Sequence, residues 1–243
     1  MRVNVGLIGK GKWGSVLKSK ITDIANLKFA LGKKDDYLDL IKNNHLDWVF
    51  VATPNSTHFK IVKDCLNFRI NVFCEKPIST NYIEAKKLFH IAKKNKVKLY
   101  ISDVYSFHNK KIKKIFLFNK VFRSKNIKGK DNDFLYRFMY HDISIMFDFF
   151  RNYKIKSIDI DQSKKRKIFL INLKFRNDKT FLFEYHLKSK TKDHYINNHN
   201  FITKNDILKK MLKSLLYGKI NIHANNQKAL FISKFLDIVK KYN

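Results

Sequence analysis

The chain has 243 residues, 44% of them hydrophobic and 14% aromatic, which excludes global disorder and leaves enough surface to bury a core without disulfides or metals. Two cysteines, Cys65 and Cys74, exclude a disulfide scaffold and fit a reduced cytoplasm; no apolar run is long enough to span a bilayer, and residues 1–9 are too short and mixed for a secretory leader. Lysine and arginine total 51 against 20 acids, a formal net charge of +31, but only seven of the 51 are arginine and the lysines are spread along the whole chain. That dispersion reads as solvated faces and argues against nucleic acid as a partner, since base and phosphate reading favours clustered arginine.

Residues 3–8 are a short apolar run closed by Gly9 and read as a buried first strand. Residues 12–24 place Trp13, Val16, Leu17, Ile21 and Ile24 at helical spacing. A second strand covers 27–31, and Asp35 or Asp36 opens a helix carrying Leu38, Leu40 and Ile41. Residues 47–52 form a strand that runs into Thr53-Pro54-Asn55, and Ser56 is a candidate cap for a helix from about 57 to 68. A strand over 70–74 ends at Glu75-Lys76-Pro77, a helix covers 80–95 and a strand 98–101. Strict alternation of strand and helix predicts a parallel sheet with helices on its faces. After residue 105 the pattern becomes strand-rich: 115–122, 155–161, 166–175 and 180–187 are strand-like and separated by polar turns, which predicts an antiparallel sheet. One helix, about 138–151, interrupts them, and helices at 205–217 and 226–241 close the chain. The expected fold class is α/β, with a Rossmann-type parallel sheet over 1–105 and a smaller α+β domain over 106–225; the last helix packs back on the first domain.

Gly9-Lys10-Gly11-Lys12-Trp13-Gly14 fits G-x-G-x-x-G, and it lies between a predicted strand and a predicted helix, the context in which the motif has a mechanism. The first glycine permits a tight turn, the second lets the backbone approach a pyrophosphate, and the third packs helix against strand. The anion then faces the amides and positive end of the helix, beside Lys12 and Trp13. Where an acid usually meets the adenosine ribose, this chain carries Lys33 and Lys34, with Asp35 and Asp36 slightly late. Two ammonium groups there favour a 2′-phosphate, hence NADP(H) over NAD(H). The chain's two prolines, Pro54 and Pro77, both follow strand ends, the edge of a parallel sheet where ligands bind.

Gly9–Gly14 with Trp13, Val51-Ala52-Thr53-Pro54-Asn55 with His58, and Glu75-Lys76-Pro77 resemble the Gfo/Idh/MocA family of NAD(P)-dependent oxidoreductases, closely over residues 3–103 and more loosely beyond. The resemblance implies a Rossmann domain followed by an open antiparallel sheet, and hydride transfer at a carbinol or carbonyl carbon of a sugar, cyclitol or nucleotide-sugar. It gives Lys76 a double duty, at the nicotinamide ribose and at the reacting oxygen. Thr53, Pro54, Asn55 and His58 would line the nicotinamide half of the site, and Glu75 would hold cofactor or neighbouring backbone. In the second domain it makes His141, in Tyr140-His141-Asp142-Ile143 at the opening of a helix, the acid/base, with Tyr140 and Arg137 beside the substrate.

The chain departs from the family at Arg137 and Ser144, where relatives often carry aspartates. Arg137 would suit a carboxylate or phosphate. The departures also motivate a rival reading, a dinucleotide-binding sensor or scaffold without chemistry. A second rival is a basic nucleic-acid-binding protein, motivated by the net charge alone. Only 14 residues separate Gly32 from Asp47, room for one helix, so one strand of the nucleotide half is expected to be missing. The family's open sheet often packs face to face between subunits, and the apolar strands here suit a homo-oligomer, a dimer or tetramer. No metal-ligand spacing occurs; His194 and His199 lie in an Asn-rich stretch and read as solvated. Phe147, Phe149 and Phe150 read as the core face of their helix.

Overall fold

Short apolar runs, each followed by a helix, build the first sheet of the computed structural model, which describes residues 2–32, 35–108, 111–126, 135–163, 165, 167–203, 205–218 and 220–242. The elements are β1 (Asn4–Ile8), α1 (Lys12–Ile24), β2 (Asn26–Leu31), α2 (Tyr37–Asn43), β3 (Trp48–Val51), α3 (Asn55–Asn67), β4 (Asn71–Cys74), α4 (Tyr82–Lys94) and β5 (Leu99–Ile101). The strands run in the order β2-β1-β3-β4-β5, and every pair is parallel. β3 and β5 are buried at every position because helices cover both faces, which explains their unbroken apolar sequences. Asp36 caps α2 by accepting from Leu38 N at 2.9 Å, and Asn81 caps α4 by accepting from Ile83 N at 2.8 Å. α3 starts at Asn55 rather than 57, with Pro54 and not Ser56 in the capping position. Among the described residues only α2 lies between β2 and β3, and the sheet ends at β2, in keeping with the short spacing.

The second sheet is built from β6 (Phe118–Ser124), a π-helical turn over Leu135–Met139, α5 (Tyr140–Ile145), α6 (Phe147–Phe150), β7 (Ile155–Ser163), β8 (Ile168–Phe175), β9 (Thr180–His186), β10 (Asp193–Ile196) and β11 (His199–Asn200). Its six strands run in the order β11-β10-β6-β9-β8-β7. The expected antiparallel sheet is in fact mixed, because β6 pairs with β9 in parallel while the other pairs are antiparallel. The cause is the helical segment between β6 and β7, which carries the chain across before the β7-β8-β9 meander begins. Alternate residues of β8 and β9 face the core: Phe169, Ile171, Leu173 and Phe175, with Phe181, Phe183 and Tyr185. Phe150 is wedged among them, its ring 4.8 Å from Phe181, 5.3 Å from Phe175 and 5.5 Å from Phe235. Phe150 thus meets the core expectation, whereas Phe147 and Phe149 are only half-buried, and the expected continuous helix over 138–151 is broken into the π turn, α5 and α6.

Two helices close the chain, α7 (Ile207–Tyr217) and α8 (Ile222–Lys240). The chain divides into one compact unit of Met1–Phe107 with Asp206–Lys234 and another of His108–Asn205 with Phe235–Asn243. This corrects the placement of 205–217 in the second domain. Met211, Leu212 and Leu215 of α7 lie in one buried cluster with Leu17, Ile21 and Trp48, so its apolar stripe belongs to the first unit. Asn225 of α8 clamps the edge strand β5: its Oδ1 accepts from Ile101 N at 2.8 Å and its Nδ2 donates to Ile101 O at 2.9 Å. A buried side-chain amide therefore satisfies backbone groups that an adjoining strand would otherwise pair. No helix among the described residues is long and apolar enough to cross a membrane.

Candidate dinucleotide site

The loops after β1, β3 and β4 lie along one edge of the first unit's sheet, because these three strands are neighbours and parallel. Gly9 takes φ +119°, and a Cβ there would collide with the Ala52 carbonyl, so the turn after β1 tolerates no side chain. A Cβ on Gly14 would collide with the Gly9 carbonyl, which places the first turn of α1 directly against the loop. Gly11 differs: a Cβ there meets nothing within 4 Å. Gly11 also stands at the N-cap of α1 without a capping side chain, and the first turn holds no acid. The amides of that turn face open space beside the exposed Lys12 and Trp13, the latter 54% exposed. The loop fits an anionic diphosphate on steric and electrostatic grounds alike.

Thr53, Pro54 and Asn55 form the step from β3 into α3, and the Thr57 hydroxyl ties it down by donating to Pro54 O at 2.7 Å, with Thr53 Oγ1 at hydrogen-bond distance, 2.8 Å. The Lys76–Pro77 peptide bond is cis. His58 does not line the crevice, which corrects its expected place. The ring is fully buried between two carbonyls, Pro77 O at 2.7 Å from Nδ1 and Thr53 O at 2.9 Å from Nε2. It braces the two proline loops against each other. Burial, with the nearby Lys76 charge, holds its pKa below 6.5 against the pull of the two carbonyls. Glu75 is buried as well, and its backbone N–H donates to Val51 O at 2.9 Å. Burial pushes its carboxyl up, opposed by the Lys76 charge and a hydrogen bond from Ser102. The Ser102 hydroxyl just after β5 donates to the Glu75 side chain at the end of β4. Beyond Ser102, the buried Asp103 accepts from Lys228 of α8 at 2.8 Å.

Lys33 and Lys34 lie outside the described residues. Next to them, Asp35 Oδ2 accepts from Gly32 N at 2.8 Å and stands 3.9 Å from Lys10 Nζ, so this carboxylate is engaged by the loop itself.

In the second unit, His141 is half-buried, with its ring edge-on to Tyr140 at 6.1 Å, and Arg137 is exposed. His141 is the second residue of α5, at the helix start as expected, with a π turn directly before it. Tyr140 is 2% exposed and belongs to the core, which corrects its expected contact with substrate. His194 is not solvated either. It lies on the inward face of β10, 2% exposed, with Nε2 2.7 Å from Asp142 Oδ1. Asp142 is fully buried and also meets Arg123 Nη1 at 3.2 Å and Tyr185 Oη at 2.9 Å. Burial pushes the Asp142 carboxyl up, but Arg123, His194 and Tyr185 more than offset this and hold it below the ordinary carboxylate range. This cluster was not singled out from sequence; its one local sign is an acid set among Phe138, Met139, Ile143 and Met146.

Burial, reinforced by the Arg123 charge and opposed by Asp142, pushes His194 down to about 4. An unfolded chain takes up this proton near 6.5, before the folded one does. The stability tied to the neutral ring is therefore complete above that pH and is lost as the pH falls toward about 4, by about 3 kcal/mol on the scale of 1.4 per unit. Denaturant unfolding of wild type and His194→Gln at neutral and mildly acidic pH checks this. The variant should lose less stability on acidification; equal losses would contradict the assignment.

A parallel sheet with a glycine-rich turn from its first strand into an uncapped helix, and further loops at the same edge, defines a Rossmann dinucleotide-binding unit. Residues 15–102 match the oxidoreductase family with an NAD-binding Rossmann fold, GFO_IDH_MocA. The uncharacterized oxidoreductase YrbE of Bacillus subtilis is 25% identical over 135 residues, covering 47% of this chain and 40% of that protein. Myo-inositol 2-dehydrogenase of Thermotoga maritima is 28% identical over 117 residues, covering 40% of this chain and 35% of that protein. The matched part thus spans two-fifths or less of these relatives' length. In fold the likeness is broader: UDP-N-acetylglucosamine 3-dehydrogenase GnnA from Acidithiobacillus ferrooxidans aligns with a TM-score of 0.81 over 100% of this chain and 98% of its own, at 14% identity.

Proposed function

We propose that the protein transfers hydride between a nicotinamide dinucleotide and a hydroxyl or carbonyl carbon of a sugar, cyclitol or nucleotide-sugar. The observation that carries this reading is the open space at Gly11 in front of the uncapped first turn of α1. Gly9, Gly11, Lys12, Trp13 and Gly14 would hold the diphosphate, Thr53, Pro54 and Asn55 the nicotinamide half, and Pro77 would shape the loop carrying Lys76. Lys33 and Lys34 would meet a 2′-phosphate, which makes NADP(H) the proposed cofactor. When bound, the dinucleotide supplies or accepts the hydride.

The remaining chemistry falls to the chain. The Lys76 ammonium stabilises the alkoxide that forms as a carbonyl is reduced, or that precedes hydride loss from an alcohol. The imidazole of His141 exchanges the hydroxyl proton. Arg137, exposed four residues earlier, would hold an acidic substituent of the substrate. A homo-oligomer formed through the second sheet is proposed with this reading.

The rival reading, a dinucleotide sensor without chemistry, draws on one specific observation: of the second-unit residues assigned to substrate, Tyr140 is withdrawn into the core. Fluorescence titration with NADPH and NADH, followed by a sugar, cyclitol and nucleotide-sugar panel monitored by nicotinamide absorbance, separates the two. Tighter NADPH binding and turnover of at least one panel member is the expected result. Binding without turnover favours the sensor, and failure to bind either dinucleotide overturns both.

A further inference from the structure

One residue after His141, the Asp142 carboxylate meets donors from three adjacent strands, β10, β6 and β9. His194 is directly opposite Arg123, and Arg123 is directly opposite Tyr185, so the three form one in-register row on the same face of the sheet. All three converge on Asp142, His194 at 2.7 Å, Tyr185 at 2.9 Å and Arg123 at 3.2 Å. Arg123 Nη1 also donates to Phe138 O at 3.0 Å, and its guanidinium lies 5.0 Å from the Phe138 ring centroid. The row therefore ties down both the π turn and the start of α5. At six residues, α5 is too short to fix its own geometry, so the direction of its side chains is set by these ties.

We propose that Asp142, docked on the His194–Arg123–Tyr185 row, is the positioning residue for His141. The assignment rests on the reading of His141 as the group that exchanges the substrate proton. Asp142 acts by holding the turn that bears the imidazole. Its charge is balanced by Arg123, so no proton need pass through the cluster. The buried Tyr140 ring, edge-on to His141, limits the imidazole from a second side.

The test uses the full chain and reads His141 by NMR, its resonances identified by their loss in His141→Gln. Wild-type protein should show one χ1 rotamer. Asp142→Asn and Tyr185→Phe should show rotamer averaging, and turnover on an active panel substrate should fall by roughly ten- to a hundredfold with KM changed less than about threefold. Tyr185→Phe removes one bond and no charge, so it decides the matter if Asp142→Asn does not fold. A single His141 rotamer and unchanged kcat in the folded variants, with only the melting temperature lowered, would overturn the proposal and leave the row as a buttress. Rotamer averaging in the variants of a protein that turns over nothing would support the positioning and overturn only the functional reading.

Discussion

Gly11→Val is expected to abolish dinucleotide binding and leave the fold intact. Gly11 has φ −70° and ψ −174°, an extended conformation open to any residue, so valine brings no backbone strain. The new side chain meets no protein atom near its Cβ, since nothing lies within 4 Å. What it fills is the approach to the α1 amides. The expected loss of NADPH affinity is at least about a hundredfold, or about 3 kcal/mol, with the unfolding midpoint nearly unchanged. Gly14→Ala is the contrasting case. Its Cβ would be driven into the Gly9 carbonyl, so stability as well as binding should fall. Fluorescence titration and thermal unfolding of both variants check the pair. Full NADPH affinity in folded Gly11→Val would refute the loop assignment.

Lys76→Ala is expected to reduce turnover by roughly two to three orders of magnitude, the scale for removing one group that stabilises developing negative charge. Dinucleotide affinity should stay within a few-fold, because the glycine loop supplies the diphosphate contacts. The position of Lys76 is built from beneath. Glu75 is drawn into the sheet edge toward Ser102, and His58 braces Pro77 from the other side. Lys76 itself is half-buried, which strengthens its interaction with a neighbouring oxyanion relative to bulk water. Single-turnover measurements with saturating dinucleotide separate chemistry from binding. Unchanged turnover would remove Lys76 from the mechanism, whereas a parallel loss of binding would assign it to the cofactor alone.

The nucleotide-binding half was legible in the sequence because its signals are local. Buried parallel strands are continuous apolar runs, the turns between them carry the scarce glycines and prolines, and the 14 residues after Gly32 already exclude another strand. Where the site depends on partners distant in sequence, local patterns could not reach it. His58 reads as one polar residue on a helix, yet its ring joins two loops, one of them 19 residues away. Asp142 finds Arg123 and Tyr185 at separations of 19 and 43 residues, through a register that only the folded sheet creates. The Asn-rich surroundings of His194 outweighed the strand alternation that buries it with Ile196. The affiliation of α7 with the first unit likewise depends on which core its apolar stripe meets, which helical periodicity leaves open.

A crystal structure at saturating NADPH is expected to show the diphosphate against the backbone amides at the start of α1, over Gly11, with the nicotinamide beside Lys76. An empty crevice, or the dinucleotide bound elsewhere on the chain, would overturn the assignment of the glycine loop as the dinucleotide site.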